Sequence, residues 1–189
     1  MRAFSKWNVK EVILTTFIAI LTGIIFSAFD WIYELLYAPL AGTGWAPIMG
    51  EAMNGLWFMA GPLAIMITKL PGSGVFAEVL GGLIEMLIGG AFGTSNLIDG
   101  FLQGLGAEVA FGIFKYKKIN FRILLYSSIF ITLFSFAGSL FTSSYIKLRL
   151  PVLLIYLLVR FISSLVFSSG LNWSIWRLFL RSKTIKTNF

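Results

Sequence analysis

The chain contains no cysteine and no histidine. The first absence removes disulfides, thiolate nucleophiles and thiolate metal ligands. The second removes imidazole ligands, Ser–His and Cys–His catalytic pairs and histidine proton relays. Charge is also scarce: 12% of the 189 residues are charged, against about 25% in an ordinary soluble domain. Hydrophobic residues make up 58%, and a surface so poor in charge must face lipid. No GxxxxGK[ST] run is present, so the chain carries no nucleotide-binding loop of that kind. Internal repeats, low-complexity tracts and an appended soluble domain are absent as well. These exclusions leave an integral membrane protein.

Six runs are long and apolar enough to span. The expectation is a single all-α membrane domain over 1–189, a bundle of six transmembrane helices. The helices are placed at about 12–37, 48–68, 75–92, 97–114, 122–146 and 150–170, with a short segment 171–189 on the side of the termini. The uncharged stretch 12–29 alone would rise about 27 Å as a helix, close to the thickness of a hydrocarbon core. It is too long for the apolar region of a cleaved signal, and Asp30-Trp31 follows it where small residues would be needed. Pro39, Gly42, Gly44 and Pro47 close the first loop, Pro71-Gly72-Ser73-Gly74 the second and Gly93-Thr94-Ser95-Asn96 the third.

The basic residues fix an orientation. Arg2, Lys6, Lys10, Lys69, Lys115, Lys117, Lys118, Arg122, Arg177, Arg181, Lys183 and Lys186 fall on the side of the termini, and Lys147 and Arg149 on the other. The positive-inside rule then places both termini in the cytoplasm of a multi-pass plasma-membrane protein. The acids run the opposite way, since Asp30, Glu34, Glu51 and Asp99 cluster at the outer helix ends. An acidic outer mouth attracts a cationic or donor-rich solute; solvated helix ends would give the same pattern.

Ionisable groups inside a span are costly and suggest function. Glu85, Glu108 and Arg160 each lie about 15–16 Å into a run, near the midplane. One arginine cannot neutralise two separate carboxylates. Glu108 is therefore assigned to a structural ion pair with Arg160, because Gly100 and Gly104 let its helix approach a neighbour, and Glu85 is left for a ligand; a three-group network that only holds the helices together is the alternative. Glu78, Gly82 and Glu85 share a stripe by 3–4 spacing. Gln103 and Asn54 offer donor and acceptor together. Trp31, Trp45 and Trp57 could stack on a flat ring or sit in the interfacial aromatic belt. Thr15, Ala19, Gly23 and Ser27 form a small-residue stripe on the first helix, suited to close approach by another helix of this chain or by a separate subunit.

The ordered set Lys6-Trp7-Asn8-Val9-Lys10-Glu11, Glu51…Asn54-Gly55…Trp57-Phe58, Lys69-Leu70-Pro71-Gly72, Ala77-Glu78…Glu85 and Gln103-Gly104-Leu105-Gly106-Ala107-Glu108 resembles one family. It is similar to the substrate-binding (S) components of energy-coupling-factor (ECF) importers, in the YkoE-like group for hydroxymethylpyrimidine and thiamin. The similarity covers about residues 6–118. It implies a six-helix, non-enzymatic subunit of an ABC importer that needs no cofactor and takes thiamin or hydroxymethylpyrimidine from outside. It also implies docking on a transmembrane coupling (T) subunit driven by ATPase subunits, with Thr15, Ala19, Gly23 and Ser27 standing where the family docks. An aminopyrimidine suits Glu85 with Gln103 and Asn54. A thiazolium suits Glu51, Glu34 and Asp99, and Trp31, Trp45 and Trp57 would serve as stacking or lid residues. The alternative is an autonomous small secondary transporter or channel for a cationic solute. An intramembrane enzyme is not expected, since no adjacent Glu-Glu pair or Ser–Lys arrangement sits in a span.

Overall fold

The structure, a computed structural model, describes residues 7–43 and 45–182. Arg2, Lys6, Lys183 and Lys186 of the charge count and Gly44 of the first loop lie outside the described residues. Helix α1 (Val9–Tyr37) starts at a capping box, in which Asn8 Oδ1 accepts from Glu11 N–H and the Glu11 carboxylate accepts from Asn8 N–H. Its 29 residues rise about 43 Å. Helices α4 (Ser73–Ile88), α5 (Ser95–Ile113) and α6 (Phe121–Thr142) follow two shorter helices described next. The chain ends in one long rod: α7 (Leu150–Ser164), a π-helical segment (Leu165–Leu171) and α8 (Asn172–Arg181). It therefore continues as helix well beyond residue 170, where the sixth span was expected to stop.

The second rod is broken into α2 (Ala46–Trp57) and α3 (Ala60–Thr68). Pro62 explains the break. It has no N–H for the Phe58 carbonyl four residues back, and its ring crowds that oxygen. Ser168 Oγ donates to Phe58 O instead (2.9 Å), and Asn172 Nδ2 donates to Met59 O (3.1 Å). Gly61 N–H, freed at the start of α3, donates to Glu78 Oε1 at 2.7 Å.

Counting α2–α3 and α7–α8 as single rods, six rods form an all-helical bundle among the described residues. Helix α1 packs on α4, α4 on α5, α5 on α6, and α2 on α7. Close backbone approach is built on glycine. A Cβ on Gly100 would stand 2.8 Å from Glu78 O, and one on Gly104 only 2.5 Å from Val75 Cα. The small-residue stripe of α1 works the same way: Thr15, Ala19, Gly23 and Ser27 are all buried, and a Cβ on Gly23 would meet Gly81 O of α4 at 2.7 Å. The assignment of this stripe to partner docking is corrected, because α4 of the same chain already occupies it.

Three helical stretches are long and apolar enough to cross a membrane: Val9–Leu40, Phe121–Thr142 and Leu150–Arg181. Their outward faces carry large aliphatic and aromatic side chains, such as Ile13, Phe17, Leu21 and Ile24 on α1 and Leu154, Leu158 and Ile162 on α7. Apolar surface on that scale belongs against lipid. Helices α2 to α5 are flanked by these long rods and carry most of the acids. One end of the bundle, here the terminal end, gathers Val9, Thr68, Ser73, Phe121 and Arg181. The far end gathers Tyr37, Ala46, Ser95, Thr142 and Leu150.

Candidate functional site

A cavity of about 300 Å³ runs from the far-end loops into the bundle. Tyr37, Pro47, Ser143 and Tyr145 line its mouth, while Gln103, Gly100 and Glu78 line its depth. Its size is at the lower end for small-molecule sites, room for one or two rings.

One wall is a closed polar network. Arg160 reaches from α7 to Glu51 on α2 through two parallel bonds, Nε to Oε2 at 2.5 Å and Nη2 to Oε1 at 2.7 Å. Its Nη1 donates to Ser135 Oγ (2.8 Å) and Ser139 Oγ (3.0 Å) of α6, and its guanidinium lies 5.2 Å from the centre of the Phe136 ring. Tyr145 O–H donates to Glu51 Oε1 at 2.7 Å. Burial, and next the Glu51 charge, push the Tyr145 phenol well above its ordinary value, so it stays a donor at neutral pH. The expected Glu108–Arg160 pair is thereby corrected: the partner of Arg160 is Glu51. Glu108 lies nearer the terminal end, where its Oε1 accepts from Gly74 N–H (2.7 Å) in the first turn of α4 and its Oε2 from Tyr116 O–H (2.6 Å). The Gly100 and Gly104 groove does bring its helix against a neighbour. That neighbour is α4, across the bundle from Arg160.

The opposite wall is acidic. Glu85, near the far end of α4, accepts from Trp57 Nε1 (3.1 Å), and the carboxyl of Asp30 from α1 lies beside it. Asp30 Oδ2 accepts from Ala91 N–H at 2.9 Å. Asp99 and Asn96 of α5 also face the cavity. Glu78 sits two turns below Glu85, about 10 Å along the helix. Its Oε1 is held by Gly61, while its Oε2 is buried with no hydrogen-bond partner among the described residues. Since Gly100 touches Glu78 and Gly104 touches Val75, Gln103 lies at the level of Glu78. At the mouth, Tyr33, Trp57 and Phe92 form an aromatic cluster with centroid separations of 5.3–6.3 Å.

Of the residues picked out from sequence, Glu51, Asn54, Trp57, Glu85, Asp99 and Gln103 meet at the cavity. Trp31 and Trp45 do not; they are 71% and 69% exposed. Glu34 is exposed as well and does not line the cavity. A helix turns 100° per residue, so Tyr33 faces inward and its neighbours Trp31 and Glu34 do not. Glu51 lines the cavity with its oxygens accepting from Arg160 and Tyr145. Missing from the sequence-based set were Glu78, Asn96, Tyr33, Ser135, Ser139 and Tyr145. Glu78 had a signal, its shared stripe with Glu85. Ser135 and Ser139, four apart and so on one face of their helix, had one too.

Comparison with known proteins agrees with this architecture. The family described as "ABC-type cobalt transport system, permease component" matches residues 10–134. A protein of Bacillus subtilis (strain 168) named as an HMP/thiamine permease, YkoE, is 30% identical over 158 residues, covering 84% of this chain and 77% of that protein. A crystal structure of an S-component of an ECF transporter superposes with a TM-score of 0.85 at 27% identity, covering 96% of this chain and 91% of the other. Six helical rods, a buried polar cavity and these matches lead to one assignment: the chain belongs to the ABC-type cobalt-transport permease-component family and is a YkoE-like S component of the ECF transporters, a membrane transport subunit and not an enzyme.

Proposed function

We propose that the chain captures thiamin or its hydroxymethylpyrimidine precursor in this cavity and delivers it through a coupling subunit and ATPase subunits. One observation carries the reading: the cavity wall bears Glu51, Glu78, Glu85 and Asp99 against a single arginine, and that arginine is committed to Glu51. The surplus acid suits a cationic, donor-rich molecule, and Trp57, Tyr33 and Phe92 at the mouth suit a flat ring or a cation over their faces. The name of the Bacillus relative supports the same ligand class. With both termini cytoplasmic, as the basic residues indicate, the far-end mouth opens outward and the protein sits multi-pass in the plasma membrane. The α1 stripe, filled by α4, drops out as the coupling surface. Cobalt, which the family description names, fits less well. The chain has no His or Cys, and no group of three Asp or Glu is placed to hold a metal among the described residues.

The test is calorimetric titration of purified protein in detergent with thiamin and with hydroxymethylpyrimidine, without ATP. Saturable binding of at least one is expected. Absence of binding by folded protein overturns the reading.

A further inference from the structure

We propose that Glu78 is a second ligand-reading carboxylate. It forms the floor pole of the cavity and selects a ligand whose leading end is a hydrogen-bond donor, with the cationic end held at the mouth. This inference rests on the thiamin-class reading above and adds which end of the ligand goes where.

Three observations carry it. Glu78 is 1% exposed and lines the cavity, yet only one of its oxygens is used. A buried carboxyl oxygen without a partner loses the full cost of its desolvation, which a ligand donor recovers. Gly61 N–H pins Oε1 at 2.7 Å, so the free Oε2 is fixed in place before any ligand arrives. Gln103, buried in the lining of the same cavity at the level of Glu78, carries an amide N–H and a carbonyl. Between them, a carboxylate and a carboxamide at one level of a cavity can accept from an exocyclic amine and donate to the adjacent ring nitrogen, the pattern an aminopyrimidine presents.

The mouth has different chemistry. Glu85, with Asp30 beside it, meets the Trp57, Tyr33 and Phe92 cluster, a surrounding suited to a cation. Glu78 and Glu85 are separated by about 10 Å along α4. A single pyrimidine ring is too short to engage both poles, whereas two linked rings reach. The amine is thereby assigned to the floor, and Glu85 to the positive charge.

The experiment compares thiamin with its 4-oxo counterpart, in which the amine donor becomes a carbonyl acceptor, on wild type, Glu78→Gln and Glu85→Gln. Wild type is expected to prefer the amino compound by about ten- to hundredfold, the value of a hydrogen bond to a charged group. Glu78→Gln keeps an oxygen for Gly61 N–H and presents an amide donor to the cavity, so the preference should vanish or reverse. Glu85→Gln should weaken both compounds equally and leave hydroxymethylpyrimidine, which has no fixed charge, within about threefold of wild type. If Glu78→Gln cannot be recovered folded, Glu78→Asp keeps the carboxyl but withdraws it by one methylene. It should lose about tenfold or more in thiamin affinity with selectivity retained. Unchanged selectivity in Glu78→Gln, a reversal seen in Glu85→Gln instead, or unchanged affinity in Glu78→Asp overturns the role of Glu78 while the thiamin-class reading stands. Failure of wild type to bind either compound overturns that reading, and this inference with it.

Discussion

Removing Arg160 tests how the bundle is held together. Its guanidinium makes two bonds to Glu51 and one each to Ser135 and Ser139, joining α7 to both α2 and α6. Arg160→Met preserves much of the volume but leaves the fully buried Glu51 carboxylate with Tyr145 as its only hydrogen-bond donor among the described residues. Stranding one member of a buried pair costs about 3–5 kcal/mol. The companion change Glu51→Gln removes the stranded charge and still gives Tyr145 O–H a carbonyl to donate to. Ser139 Oγ can continue donating to Ser135 O, as it does at 3.2 Å. The double variant Glu51→Gln/Arg160→Met should therefore lie within about 1–2 kcal/mol of wild type, the scale of one or two unmet neutral hydrogen bonds. The assay is reversible denaturation in detergent micelles for the two single variants and the double, read as a coupling energy. Glu108→Gln is the internal comparison, since its amide oxygen still accepts from Gly74 N–H; a loss of about 1 kcal/mol is expected. A single Arg160→Met variant as stable as wild type would refute the reasoning. So would a double variant no better than the single, or a Glu108→Gln change coupled to Arg160.

Three further outcomes follow from the same geometry. Gly23→Leu should lower folded yield and unfolding temperature, because its side chain enters Gly81 O and Ile84. Overpacking of this kind costs about 1–3 kcal/mol, and a variant that folds and binds normally but fails only in uptake would point to α1 as a docking face after all. Trp57→Phe removes the donor to Glu85 Oε1 and should shift thiamin affinity by about tenfold, while Trp31→Phe and Trp45→Phe leave it unchanged in the same titration. Because the chain has no cysteine, single cysteines report topology cleanly. An impermeant maleimide added to intact cells should label Ala41→Cys and spare Lys118→Cys, and the reverse pattern would invert the orientation.

Much of the bundle was legible because lipid imposes a strong pattern. The uncharged run beginning at Val12 and the glycine- and proline-marked loops locate rods without any knowledge of packing. Pairing across the bundle was not legible. Depth along a helix follows from rise per residue, but rotation and neighbour choice do not. Glu108 and Arg160 each fall about 15–16 Å into their spans by arithmetic, yet they face different neighbours. Trp31 and Trp45 were legible as far-end aromatics, but only the assembled bundle shows that Tyr33 and Phe92 take the inward positions. The α1 stripe was legible as a close-packing surface, and sequence left open whether the approaching helix was internal. Glu78 was visible on the stripe of Glu85. Its importance depends on a backbone N–H that only the break in the second rod exposes.

That break shows why the floor of the cavity can be polar deep inside a lipid-facing protein. A helix interrupted in an apolar medium leaves carbonyl and N–H groups that water cannot satisfy, at a cost of several kcal/mol each. Here the irregularities are matched. Pro62 frees Phe58 O, and the widened turn of the π segment carries Ser168 to it. One turn further on, Asn172 reaches Met59 O. Gly61 N–H turns the other way, toward Glu78. The π segment is in turn anchored to α6, where Ser169 Oγ donates to Leu124 O at 2.7 Å and lies 2.6 Å from Ser128 Oγ. Helical irregularities of this type often mark functional sites, and the reason is concrete in this bundle. A regular second rod would have spent Gly61 N–H on its own ladder. The broken rod instead gives that donor to a carboxylate of the cavity lining, which holds one oxygen of Glu78 in place and leaves the other without a hydrogen-bond partner among the described residues.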